Sequence, residues 1–209
     1  LDSNEATYCA AVTILNMSMM PDSKNLADSK AVPLCVYIIE KGPVECLQMA
    51  VAALCNFSML PVFFDQLTAN TIPVERNNAK EMSGAIPAMI GVLATTVMDP
   101  KIRLEALQFI YNMTTKHSAC WPVCVEASGF EALGKILKSE GTADGKEHTL
   151  YRIGRITKEL CSAATTEDLV KKMLADGVNS LILKLAKVEL IDLKFDLACA
   201  IYSLSRSPD

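Results

Sequence analysis

Three nine-residue stretches share one pattern: AAVTILNMS at 10–18, AVAALCNFS at 50–58 and ALQFIYNMT at 106–114 all read A-x-x-x-[LI]-x-N-[MF]-[ST]. Each ends on an acceptor tripeptide for N-glycosylation, at Asn16, Asn56 and Asn112, but that tripeptide fixes only two of the shared positions. The remaining positions place small and large apolar residues at three- and four-residue steps, which describes one buried face of a helix. Two degenerate copies follow, IGRITKELC at 153–161 with Glu159 in the asparagine slot and LACAIYSLS at 197–205 with Ser203 there. The slot thus recurs at 16, 56, 112, 159 and 203, at intervals of 40, 56, 47 and 44 residues. That period lies in the range of helical solenoids.

A second motif sits between successive copies. It reads KAVPLCVYII from Lys30, GAIPAMIGVL from Gly84, GFEALGKIL from Gly129 and GVNSLILKL from Gly177, and the slot follows after 26, 28, 30 and 26 residues. Three of the four begin with glycine and continue as an amphipathic helix. The glycine is therefore expected to supply the positive φ of a sharp turn between two helices, so that a valine at Gly129 would destabilise the chain.

A short helix, then G-x-I-P-x-L-x-x-L-L, then a third helix containing A-x-x-x-L-x-N-[LM]-[ST] resembles the armadillo repeat. Gly84-Ala85-Ile86-Pro87 with Ile90 and Leu93, followed by LEALQFIYNMT, is the closest copy, and the resemblance covers essentially the whole chain. It implies an all-α fold, a right-handed α-solenoid of armadillo repeats with three helices each. One domain over 1–209 is expected, opening on a third helix at about 4–18, with four complete repeats whose ends lie near 58, 114, 162 and 205. The long interval is assigned to TANTIPVERNNAKEMS at 68–83, a polar surface insertion of about a dozen residues. SEGTADGKEH at 139–148 reads as an ordinary connection between helices.

In armadillo solenoids the third helices line a concave groove, and the resemblance implies an asparagine ladder that hydrogen-bonds the backbone of an extended partner. A carboxamide offers two donors and two acceptors, so it can serve both N–H and C=O of a strand with no partner strand. Asn16, Asn56 and Asn112 match that position; Glu159 and Ser203 depart from it. The alternative is that each asparagine bridges neighbouring repeats without touching a ligand.

Positions one and two turns before the slot share its face. One turn before are Val12, Ala52, Gln108, Arg155 and Cys199; two turns before are Cys9, Met49, Glu105, Arg152 and Asp196. This floor is apolar at one end and charged at the other, and it suits a partner segment of the same asymmetry. Nuclear-import adaptors of the armadillo family carry tryptophan one turn before the slot, whereas the single tryptophan here, Trp121, lies outside the ladder.

The functions expected from this reading are a scaffold or adaptor for protein or extended peptide, a folding chaperone or myosin-binding module, and a structural segment that docks or self-associates through its ends. Neither ATYCAAVTIL nor LACAIYSLS closes the stack with a polar cap. No G-x-x-x-x-G-K-[ST], G-x-G-x-x-G or G-x-S-x-G occurs, so no cofactor, catalytic residue or small-molecule substrate is expected. His117, Cys120 and Cys124 could supply three zinc ligands, but a structural site wants four, and packing accounts for the cysteines, so no metal is expected. His148 reads as part of a solvated turn, and the lysines of VKKML at 170–174 as a solvated face.

The charge of −4 is spread evenly: 1–104 hold seven basic and ten acidic side chains, 105–209 thirteen and fourteen. Nothing there suggests nucleic acid or an anionic membrane as partner. No run approaches the ~18 apolar residues of a membrane span, and LDSNEATYCA lacks the basic and apolar regions of a signal peptide, so any membrane association would use a region outside this chain. The eight cysteines sit among apolar helix-forming residues and read as packing thiols in a reducing, cytoplasmic setting.

Overall fold

A computed structural model describes residues 3–72, 82–140 and 146–206. It opens on α1 (Ser3–Ser18), after which a set of three helical segments recurs four times. The first set is a 3₁₀ turn (Ser23–Leu26), α2 (Ala31–Lys41) and α3 (Val44–Phe57). The second is a 3₁₀ turn (Pro61–Phe63) running into α4 (Phe64–Thr68), then α5 (Ala85–Ala94) and α6 (Pro100–Lys116). The third is α7 (Cys120–Glu126), α8 (Gly129–Glu140) and α9 (Glu147–Cys161); the fourth is α10 (Glu167–Ala175), α11 (Val178–Leu185) and α12 (Ile191–Ser205).

The helices form rows. α1, α3, α6, α9 and α12 pack side by side in chain order, and α2, α5, α8 and α11 form a second row behind them. The sequence pattern explains the division. In α9 the buried residues Leu150, Ile153, Ile156, Thr157 and Leu160 recur at three- and four-residue steps, leaving one face for charge. In α5, AIPAMIGVLA is apolar nearly all round, because it is enclosed by α2, α6 and α8. One core runs the length of the stack, from Ile14 through Leu54, Phe57, Phe109, Ile136 and Leu160 to Leu197. Each fully buried Leu, Ile or Phe contributes about 1.5 to 3 kcal/mol over its exposed state.

Local chemistry sets the helix ends. Asp99 caps α6, its carboxylate accepting from the Lys101 N–H at 2.7 Å, and Pro100 occupies the first turn, where its missing N–H is not needed. The buried Arg103 of α6 donates to the Leu93 carbonyl near the end of α5 and to the Ser139 hydroxyl near the end of α8, tying both rows together.

The glycine expectation holds at one position and is corrected at two. Gly177 has φ +84°. Gly84 and Gly129 do not have positive φ; at the α7–α8 turn the left-handed residue is Ser128, with φ +64°. Gly129 is needed for another reason: a Cβ there would stand 2.7 Å from the Cys124 carbonyl oxygen, closer than van der Waals contact permits. At Gly84 a Cβ would collide with the Ala69 carbonyl.

The insertion at 68–83 is more than a loop. Thr71–Ile72 and Met82–Ser83 form an antiparallel two-residue ladder, with Thr71 opposite Ser83, and the Ser83 hydroxyl donates to the Glu40 carboxylate of α2. Residues 73–81 lie outside the described residues, as do 141–145 of the second polar stretch. His148 stands exposed on the first turn of α9, not in the connecting turn. Lys172 is not simply solvated; its ammonium donates to the Ser128 hydroxyl and the Asp176 carboxylate, both at 2.8 Å.

Candidate binding face on the third helices

The asparagine slots lie on the row α1, α3, α6, α9, α12, and their side chains reach backwards along it. The Asn56 amide of α3 donates to the Ser18 hydroxyl of α1 at 2.9 Å, and the Asn112 amide of α6 donates to the hydroxyl of Ser58, the residue that caps the end of α3, also at 2.9 Å. The Ser18 hydroxyl itself donates to the Leu15 carbonyl at 2.7 Å and that of Ser58 to the Cys55 carbonyl at 2.6 Å, which turns their lone pairs toward the next helix. The motif residues Asn and Ser, two apart, are thus the two halves of one latch between successive third helices. Asn112 is 3% exposed and its carbonyl oxygen accepts from the Gln108 amide at 2.6 Å, so the folded chain cannot present it for glycosylation. Asn16 is exposed.

Other chemistry takes over where the latch lapses. Between α6 and the third set, the Trp121 indole N–H donates to the Thr114 carbonyl at 2.8 Å. Between α9 and α12 an ionic cluster forms: Arg155 meets Glu159 at 3.1 Å and Asp196 at 3.3 Å, while Lys158 approaches Asp196 at 3.5 Å. Asp196, expected on the groove floor, is corrected to a position beneath it, 3% exposed and paired across the helix interface. Arg155 and Glu159 are half-buried members of the same cluster, and Ser203 is half-buried on α12.

Glu105, Gln108 and Arg152 remain at the surface of the row, each half-buried. Burial pushes the Glu105 carboxyl up; a hydrogen bond from Gln48 opposes this, and the Asp99 charge adds to it. Its Oε2 is shut off from solvent and has no hydrogen-bond partner. The Cys55 thiol of α3 is pushed up to about 11 by burial first, then by Glu105, with Arg152 opposing. Tyr111 bonds Tyr151 across the α6–α9 junction, and its hydroxyl is pushed up by burial and by Tyr151, with Arg155 and Arg152 opposing. The face therefore presents an acidic point on α6 and a basic point on α9, beside a tyrosine pair.

Gln48, Cys55, Tyr111, Tyr151 and Lys158 were not among the expected floor residues. They occupy the positions one and eight before the slot, a column the sequence could have supplied, since residues seven apart recur on the same side of a helix. At the other end of the row, Met49, Ala52 and Val12 keep the face apolar. Cys120 and Cys124 are fully buried and His117 tilts against the Phe64 ring at 5.0 Å, so the three form no shared, solvent-reachable site. All eight cysteines are free thiols, and among the described residues no single helix is long and apolar enough to cross a membrane.

No protein-family model matches the chain, and no curated protein matches it. Solved structures do. An engineered protein studied by the Northeast Structural Genomics Consortium superposes with a TM-score of 0.64 at 18% identity, covering 94% of this chain and 72% of that one. A second engineered protein from the same consortium gives 0.67 at 20% identity over 100% of this chain, which spans only 46% of that protein. A designed armadillo repeat protein, in complex with the peptide (KR)4, gives 0.63 at 14% identity, covering 95% of this chain and 75% of that one. At such identities the likeness speaks for the fold, and the fold is an armadillo-like helical solenoid.

Proposed function

We propose that this chain is a non-enzymatic protein-interaction scaffold that receives an extended partner segment along the third-helix row. The observation that carries this reading is Glu105, whose Oε2 is buried without a hydrogen-bond partner. Leaving such an atom unpaired is unfavourable by about 1 to 3 kcal/mol or more, and a donor brought by a bound segment relieves it. Arg152, one helix further on, supplies donors for the carbonyls or carboxylates of the same segment. An acceptor and a donor spaced along the row suit an extended backbone, which offers N–H and C=O alternately. Gln108 and the outer edge of Arg155 would flank the segment, while Asn56 and Asn112 hold the helices under it.

The peptide-bound designed neighbour supports a peptide as the class of partner. Its fully basic ligand does not carry over, because Arg152, Arg155 and Lys158 lie along this row and would repel it. The fitting segment has mixed charge, with an apolar end over Val12, Met49 and Ala52. The interleaving of Glu105 with Arg152 gives no continuous basic track for nucleic acid. The free thiols suit a reducing, cytoplasmic setting.

One observation favours the chaperone reading as second choice. Met17, Met19 and Met20 are all exposed at the end of α1, and Met17 and Met20 border a cavity of about 290 Å³ with Leu26. Methionine surfaces adapt to varied apolar clients.

Selection of a displayed random-peptide library tests the proposal. Wild type is expected to enrich mixed-charge peptides of micromolar affinity that the Glu105→Gln, Arg152→Glu variant binds at least about tenfold more weakly, the loss of one charge-assisted contact. Peptides equally well bound by both proteins would move the site elsewhere; enrichment of purely apolar peptides near Met20 would favour the chaperone reading.

A further inference from the structure

Two cavities on the third-helix row occupy the same place in the repeat. One, of about 310 Å³, lies near the starts of α1 and α3 and is lined by Asn4, Glu5 and Tyr8 on one side and Pro43, Glu45 and Cys46 on the other. The second, of about 540 Å³, lies near the starts of α9 and α12 and is lined by Glu147, His148 and Tyr151, then by Leu190, Asp192 and Leu193. Counted back from the slots at 16, 56, 159 and 203, these linings coincide residue for residue. They stand twelve, eleven and eight before the slot on the leading helix, and thirteen, eleven and ten before it on the following one. Each cavity is walled by two helices of this chain that pack against each other, so neither is an outer face of the stack.

Acids in a first turn are what the helix dipole favours anywhere; a tyrosine set against them is not. The two junctions between lack that set. There the tyrosine position holds Gln48 on α3 and Leu104 on α6, and the position of Glu45 and Asp192 holds Lys101 on α6 and His148 on α9.

No lysine or arginine lines either cavity. Glu5, Glu45, Glu147 and Asp192 are exposed and, among the described residues, without an ion-pair partner, whereas Glu189 at the rim of the second cavity meets Lys194 at 2.6 Å. An apolar wall, an aromatic ring and an open carboxylate together fit an arginine. Its aliphatic stem packs on Pro43 or Leu190, its plane stacks on the tyrosine, and its parallel N–H groups donate to the carboxylate. A lysine ammonium has neither the plane nor the fork.

From this repeated geometry we infer that the extended partner segment carries two arginine anchors, one for each cavity. The cavities are three helix steps apart along the row. Packed helices stand about 8 to 10 Å apart and a strand rises about 3.3 Å per residue, which puts the anchors about seven to nine residues apart. Between them the segment passes Glu105 and Arg152, which keeps its middle mixed in charge. The inference rests on the reading of the third-helix row as a peptide-binding face and adds which partner residues that face selects.

Selection of displayed random peptides on the 209-residue chain tests it, followed by a cycle of substitutions on both partners. Enriched peptides are expected to carry two arginines at about that spacing. Citrulline in place of either arginine keeps the shape and removes the charge, and is expected to weaken binding to wild type about tenfold. On the Glu5→Gln, Glu45→Gln variant the citrulline loss should shrink to under about twofold at one anchor only, and on the Glu147→Gln, Asp192→Asn variant at the other only. All four substituted positions are exposed, and circular dichroism checks that both variants keep the helical fold. Enriched peptides without the arginine pair that still lose affinity on Glu105→Gln, Arg152→Glu would overturn the inference and leave the scaffold reading standing. Citrulline losses as large on both variants as on wild type would also overturn it, because the arginines would then be held elsewhere. Failure to enrich any peptide would overturn the scaffold reading and this inference with it.

Discussion

Asn112 of α6 donates its side-chain amide to the hydroxyl of Ser58, at the C-cap of α3, across 2.9 Å and 54 residues of sequence. The bond is repeated one helix earlier between Asn56 and Ser18. It explains why asparagine and serine recur two residues apart: the asparagine reaches back to the previous third helix, and the serine is reached by the next.

Removing the Asn112 side chain beyond Cβ takes away the donor to the Ser58 hydroxyl and the acceptor for the Gln108 amide, while the Ser58 bond to the Cys55 carbonyl stays. Asn112→Ala is expected to destabilise the chain by about 1 to 3 kcal/mol and Ser58→Ala by about 1 kcal/mol. In urea denaturation the double variant should lose less than the sum, by about 1 kcal/mol of coupling. Strict additivity would mean that the two side chains do not bond.

Glu105 sets a pH dependence of known sign. Burial holds its carboxyl above the ordinary value of 4.5, so the folded state binds the proton more tightly than the unfolded chain. The stability this contributes is present below the unfolded value and lost as pH rises through the folded one. Glu105→Gln keeps a neutral group there at every pH. Its melting temperature is expected to exceed that of wild type at pH 7, and the gap should close as pH falls toward 4.5. A gap independent of pH would show that the carboxyl is well solvated.

The solenoid was legible because its signals are periodic. Slots at 16, 56 and 112 carry both the helix face and the spacing of the stack, and the structure places all five slots on one row of helices. What the Asn side chains do was less legible, because a motif read along one helix does not say which neighbour each amide meets. Asp196 shows the same limit. Its charge in the slot column suggested a floor residue, yet the partners that hold it buried, Arg155 and Lys158, lie 41 and 38 residues away. The glycines were read for backbone freedom when two of them answer to close packing, and a carbonyl 2.7 Å from an absent Cβ leaves no mark in local sequence.

That distinction is testable at the two glycines. Gly177, with φ +84° and open space around it, is expected to lose about 1 kcal/mol on replacement by alanine, from backbone strain alone. Gly129→Val is expected to cost more than Gly177→Ala, because the Cys124 carbonyl must move as well. Thermal denaturation of the two variants should rank them in that order; equal losses would point to backbone strain at both.

Thiol accessibility should follow the packing. Cys9 is exposed, whereas Cys35 and Cys161 are buried and pushed up to about 12, where almost no thiolate forms at neutral pH. Alkylation of the native chain, read by peptide mass spectrometry, is expected to label Cys9 first, and Cys35 and Cys161 only after denaturation. Early labelling of Cys161 would contradict the close packing of α9 in the core.

The most direct test of the account sets the latch against the binding face. The affinity of a peptide selected on wild type is measured, side by side, for folded Asn112→Ala and for Glu105→Gln, Arg152→Gln. The account expects near wild-type affinity in the first, whose asparagine holds the stack, and a loss of at least about tenfold in the second. Loss in the first with retention in the second would contradict it, and would make the asparagine row the ligand contact.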